Sequence, residues 1–239
     1  MQVSTRALVF SSIKYAEADL IVSCFTEDFG LKSYLLRGVM KSKKGKLRPS
    51  LFQPLTLLQL EAVHKDKGSL ENIREAKLLH PYKTLHTEIV KSSLVLFLAE
   101  MLKNSIQEEE PNEELFKYLE QSVFWLDHHE NVSNFHLLFL LNLTVYLGFY
   151  PDTSNLEAPF LNLMEGNFQK EAFGDYCEAG DNVEVLKQFF GIDFDALENI
   201  KTTKKQRLGV LNLLLLYYQL HLQGYKKPKS LLVLNQLFS

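Results

Sequence analysis

The sequence predicts an α+β fold, with a small β-barrel over residues 1–80 and an α-helical domain over residues 81–239. Three observations carry this reading. Apolar residues alternate with polar ones in short runs up to about Leu78, and no helical spacing lies between the runs. His80-Pro81 then marks a change of regime, because the residue before proline resists the helical conformation. Beyond it, apolar residues recur at helical spacing between recognisable caps.

The strands come first. Val3 to Ile13 alternates Val3, Thr5, Ala7 and Val9 against Arg6, Leu8 and Phe10. Leu20 to Thr26 is rich in β-branched and aromatic residues, and Leu31 to Val39 follows the Glu-Asp-Phe-Gly turn. Leu55 to Val63 makes a fourth strand, and Ser69 to Leu78 a fifth after Asp66-Lys67-Gly68. Five short strands without intervening helices suggest a closed barrel, since closure removes exposed edges. A five-stranded barrel of this length is the size of an OB-fold, whose face and loops bind single strands.

The helices follow. Leu85 to Ile106 is apolar around most of its circumference and is expected to be buried. After Glu108-Glu109-Glu110-Pro111, Asn112 caps a second helix that fades at Asp127-His128-His129. A third runs from about Asn134 to Leu147, with Ser133 as the expected cap and Gly148 beyond. Residues 150–180 are irregular. Asp181 with Glu184, and Thr203 with Gln206, are capping-box patterns for a short helix ending at Gly191 and a long one through Leu222. Ser230 to Phe238 is a last amphipathic segment.

Charge is unevenly shared. The chain carries a net charge of −3, yet residues 1–80 hold thirteen Lys/Arg against eight Asp/Glu, and the remainder thirteen against twenty-one. Arg37, Lys41, Lys43, Lys44, Lys46 and Arg48 place six cations in twelve residues with no acid among them. A cationic loop launched from a strand suits a polyanion such as single-stranded or double-stranded DNA. Lys32 and Tyr34 share one face of the preceding strand, with Tyr34 the favoured stacking residue. A second cluster, Lys201, Lys204, Lys205 and Arg207, sits at the start of the long helix, where free N–H groups and cations make an anion site.

Enzymatic chemistry is not visible. The sequence contains no Gly-rich phosphate loop, nucleophile elbow or His-Glu-x-x-His pattern, so no catalytic residue is assigned. Asp127-His128-His129-Glu130 is the densest run of metal-ligating types, but adjacent helical residues diverge, and no metal or cofactor is expected. Cys24 and Cys177 lie far apart, which argues against a disulfide framework and for a reducing cytoplasm. No signal pattern opens the chain, and its most apolar stretch is too short to cross a bilayer.

FTEDFGLKSYLLRGVMKSKKGKL followed by LFQPLTLLQL resembles the signature of the bacterial recombination-mediator family RecO. Phe25-Thr26-Glu27, Gly30, Arg37-Gly38, Lys41-Ser42-Lys43 and Gln53-Pro54-Leu55 carry the likeness. KGSLENIREAK, NFHLLFLLNLTVYLGFYP and GYKKPKSLLVLNQLF extend it over nearly the whole chain. The resemblance implies a non-enzymatic, nucleoid-associated protein of DNA repair that binds single- and double-stranded DNA and anneals complementary strands. It also implies three protein partners: the acidic tail of single-stranded DNA-binding protein, RecR and, indirectly, RecA, which is loaded on gapped DNA. The Lys201–Arg207 cluster is expected to hold either a second DNA segment, which would suit strand annealing, or that tail, for which Leu208 and Leu211 would be apolar neighbours. Many members carry a four-cysteine zinc module after the Leu-Gly helix. Here residues 150–180 hold only Cys177, so a module without zinc is expected. An OB-fold acting on structured RNA, and a phosphodiester-cleaving nuclease, are the alternatives.

Overall fold

The computed structural model describes residues 1–41, 47–65, 70–106 and 110–237. The chain folds as two compact units, Met1–His128 and His129–Ser239.

The first unit opens with β1 (Gln2–Tyr15), β2 (Asp19–Thr26), β3 (Gly30–Leu36), β4 (Leu57–Val63) and β5 (Asn72–Leu78). They form one antiparallel sheet in the order β3-β2-β1-β4-β5. Its two edges meet. A parallel bridge joins Tyr34 to Glu71, through Leu35 N–H to the Glu71 carbonyl at 2.9 Å and Glu71 N–H to the Ser33 carbonyl at 2.8 Å. The result is OB-fold-like. Val3, Ala7, Val9, Val22, Cys24, Tyr34, Leu58 and Leu60 fill the interior.

The strand ends differ from the sequence reading for local reasons. β3 stops at Leu36, not Val39, because Gly38 has φ +67° and turns the chain. That turn is held by Gly38 N–H on Asp19 Oδ1 (2.7 Å) and Met40 N–H on the Ala18 carbonyl. β4 starts two residues late, at Leu57, since Leu55 sits in the left-handed region at φ +58°.

β1 is buried on both faces from Ala7 to Phe10. Its outer face is covered within the same unit by α1 (Ile89–Ser105) and α2 (Glu113–His128). Phe10 stacks on Phe25, and Phe25 on Phe116 of α2. The compact unit therefore runs well past His80-Pro81, where the strand pattern ends. α1 begins at Ile89, not Leu85, because residues 83–85 form a turn around the buried Asp127 carboxylate. Lys83, Thr84 and Leu85 N–H groups donate to that carboxylate at 2.8–3.1 Å. Burial alone would raise the Asp127 pKa, but these donors hold it below the usual carboxylate range. Asn112 caps α2 as expected, its Oδ1 accepting from Leu115 N–H at 2.9 Å.

The second unit holds α3 (Phe135–Tyr146), α4 (Asp181–Lys187), α5 (Lys204–His221) and α6 (Leu231–Leu237). Between α3 and α4 the irregular stretch forms a small antiparallel sheet, β6 (Phe160–Asn162), β7 (Asn167–Gln169) and β8 (Cys177–Ala179). Asn162 organises it: Nδ2 donates to the Phe173 carbonyl, and Oδ1 accepts from Met164 and Glu165 N–H. The Thr203/Gln206 capping box of α5 is present. The other two caps are not as expected. Asn134 and Gly180 occupy the cap positions of α3 and α4, and the Asn134 side chain instead binds the Ile200 carbonyl and the Thr202 hydroxyl. No described helix is long and apolar enough to cross a membrane.

Candidate nucleic-acid interface and anion site

The basic segment leaves the barrel at the edge formed by β3. Arg37, Lys41 and Arg48 are exposed, and Lys32 is half-buried on the strand. Lys43, Lys44 and Lys46 lie outside the described residues. The turn between β1 and β2 brings acids to this edge that the linear reading did not include. Glu17 pairs with Lys41 at 3.1 Å in the open, and Asp19 accepts from Gly38. Both partners of the Lys41 pair are well exposed, so water screens the pair and leaves Lys41 free to exchange it for a phosphate.

Tyr34 is not a surface stacking residue. It is fully buried, and its hydroxyl lies 3.0 Å from His64 Nε2 inside the barrel. Burial pushes the hydroxyl pKa well up, so it stays neutral. Tyr34 and Lys32 do share a strand face, but the sheet curls so that this face is the inner one at Tyr34. Lys32 stands nearer the strand's start and keeps part of its side chain at the surface.

The second cluster divides on inspection. Lys201, Lys204 and Lys205 are exposed. Arg207 is half-buried and folds back, Nη1 donating to the Thr202 carbonyl (3.0 Å) and hydroxyl (3.1 Å). Beside it lies a small, partly open apolar pocket lined by His136 of α3, Lys204, Arg207, Leu208 and Leu211 of α5, and Leu234 of α6. His136 is buried and its pKa is pushed down to about 3, first by burial and then by the Arg207 charge. The imidazole is therefore neutral, and the positive charge at the rim belongs to the lysines and Arg207. Asp181 accepts from Gln206 Nε2 at the same helix start, which tempers the anion preference there. An apolar slot with a cationic rim fits a carboxylate-bearing chain that carries a large apolar side chain. Reading the sequence alone found the cations, but not His136 or Leu234, which come from distant helices.

Cys177 is half-buried with its thiol free, and Cys24 is buried in the barrel, where burial raises its pKa and keeps it an inert thiol.

Residues 1–82 match the family Recombination protein O N terminal, and residues 86–231 match Recombination protein O C terminal. A DNA repair protein RecO from Christiangramia forsetii is 51% identical over 238 residues, covering all of both chains. The DNA repair protein RecO of Flavobacterium johnsoniae is 46% identical, again over both whole chains. That of Bacteroides fragilis is 34% identical over 98% of each.

Proposed function

The chain belongs to the Recombination protein O family of DNA repair proteins, and from that premise we propose that it is a non-enzymatic mediator binding single- and double-stranded DNA. In this reading it anneals complementary strands in the cytoplasm, at the nucleoid, and helps load RecA on gapped DNA together with RecR and single-stranded DNA-binding protein. The observation that carries the DNA assignment is the exposed cationic edge of the barrel, Arg37, Lys41 and Arg48 on either side of a Lys-rich stretch of sequence. Phosphates need charge and reach more than they need a rigid pocket, and exposed cations beside a fixed strand supply both.

The acidic tail of single-stranded DNA-binding protein is assigned to the pocket of His136, Leu208, Leu211 and Leu234. There Lys204 and Lys205 meet the carboxylates and the slot takes the tail's apolar end. Catalysis is given no part. The sequence offers no Gly-rich phosphate loop, nucleophile elbow or His-Glu-x-x-His pattern to support a reaction.

The test is a fluorescence titration of a short single strand at several salt concentrations. With four or five phosphate contacts the log–log slope is about −3, from roughly −0.7 per contact. The double variant Arg37→Glu, Arg48→Glu should weaken all sequences about equally and flatten the slope, because phosphates carry no sequence information. Unchanged affinity in that variant removes this edge from the interface.

A further inference from the structure

At the carboxy-terminal end of α2 the fold gathers His80, Asp127 and His128, which neither surface above uses. Each offers one ligand atom, and these atoms lie within 4.8 Å of one another. The run Asp127-His128 was visible in the sequence. His80 arrives from just past β5, on the other side of the turn that Asp127 holds.

Each member has an independent reason to face a cation. His80 Nε2 is sealed from solvent, with no hydrogen-bond partner among the described residues. A buried imidazole nitrogen left this way is costly, and an ion is one of the few things that satisfies it. Asp127 is oriented by its three backbone donors, most of which point at Oδ1, so Oδ2 keeps spare acceptor capacity. His128 Nδ1 lies 2.9 Å from the Phe124 carbonyl, to which it can only donate. In the neutral ring that leaves Nε2 with its lone pair. Both Asp127 and His128 stand at a helix end, where the backbone dipole favours positive charge.

We propose that His80, Asp127 and His128 form a binding site for a divalent late transition metal. Two imidazoles and one carboxylate suit zinc, cobalt or nickel, and not magnesium or calcium, which favour all-oxygen ligand sets. Tetrahedral ligands at about 2.0–2.1 Å from zinc stand roughly 3.4 Å apart, so atoms within 4.8 Å of one another must close by up to about 1.4 Å. His128, whose Nδ1 is the nitrogen 4.0 Å from Asp127 Oδ2, must turn to present Nε2. Rotation of His128, the most exposed of the three, supplies that movement, and the same exposure leaves a fourth position open to water. One charge opposes binding. The Lys91 ammonium donates to the Asp127 backbone carbonyl and to Thr84 Oγ1, and it occupies the main-chain side of Asp127 while the metal takes the carboxylate side.

The site is tested on the full, untagged chain with Co²⁺ as the probe and Zn²⁺ as its competitor. The expected result is one equivalent of Co²⁺ with the visible bands of a low-coordinate nitrogen–oxygen site, lost on adding Zn²⁺. His80→Ala and His128→Gln should each lower the affinity by about tenfold or more, while His129→Ala, next in sequence, leaves it unchanged. Asp127 is left alone because it also holds the turn at 83–85, and His128→Gln, at the surface, keeps the test independent of folding. A featureless spectrum, or equal affinity in His80→Ala and His128→Gln, overturns the proposal.

Discussion

Arg6 of β1 holds Glu27 and Glu120 at once: Nε is 2.7 Å from Glu27 Oε2 and Nη1 is 2.8 Å from Glu120 Oε1 on α2. Its guanidinium also lies 5.1 Å from the ring centre of Phe116, so one side chain clasps the barrel to the helix that covers it. Arg6→Ala should lower stability by about 1–2 kcal/mol, read from thermal or urea unfolding. The figure is kept below that of a fully buried network because the three side chains retain 21–32% of their exposure. An unshifted melting temperature would show the clasp to be ornamental.

The same contact sets a pH dependence. Hydrogen bonding to Arg6 is the main reason the Glu27 carboxyl lies below its ordinary range. A depressed folded-state pKa stabilises fully above the unfolded value of about 4.3 and loses that contribution as pH falls through the folded one. Melting temperatures should therefore drop in this acid window, less steeply in Arg6→Ala than in the parent. Parallel curves for the two proteins would refute the coupling.

Tyr34→Phe removes one buried hydrogen bond, to His64, and should cost about 1 kcal/mol. Single-strand affinity should not change, because the ring lies inside the barrel. A loss of DNA binding without a loss of stability would return Tyr34 to the interface.

Lys204→Glu with Lys205→Glu should abolish binding of an acidic tail peptide and leave naked single-strand binding intact. Both lysines are exposed at the start of α5, with Lys204 lining the apolar pocket. Isothermal titration with each ligand separates the two. If peptide binding survives, the tail docks elsewhere.

In the insert, stability should depend on turns and not on the lone thiol. Gly166 has φ +65°, and a Cβ there would overlap the hydroxyl of Tyr217, which donates to the Phe149 carbonyl at 2.8 Å. Gly166→Ala should cost about 1–3 kcal/mol, and Cys177→Ser should stay within about 0.5 kcal/mol of the parent in unfolding experiments. The reverse ranking would give Cys177 a role that its free thiol does not suggest.

What the sequence made legible was local. Alternation located all five strands, and Asn112 and the Thr203/Gln206 box announced two helix starts. Long-range partners stayed hidden. Asp127 delays the start of α1 from a helix away, and Asn134 spends its side chain on Ile200 and Thr202 instead of on its own helix. Tyr34 shows the limit within a strand, since period two assigns residues to a shared face but leaves inside and outside to the sheet's curvature. The three-residue strands β6, β7 and β8 are too short for any periodicity to register. Of the candidate sites, the cations were readable as a run, whereas the pocket wall from His136 and Leu234 and the approach of His80 to Asp127 exist only in three dimensions.

The bridge between Tyr34 and Glu71 makes the barrel a sheet fastened by a seam. Only two backbone hydrogen bonds are described there, against seven paired positions between β1 and β4. A seam so short is the place from which the barrel should first breathe, so the Leu35 and Glu71 amides should exchange with deuterium ahead of those in β1. Because both bonds belong to the main chain, ordinary side-chain replacement cannot unfasten them, but proline at position 71 would remove the donor to Ser33. An unfastened barrel bares two strand edges together, and the same event that loosens this unit would thus invite a second chain to add a strand.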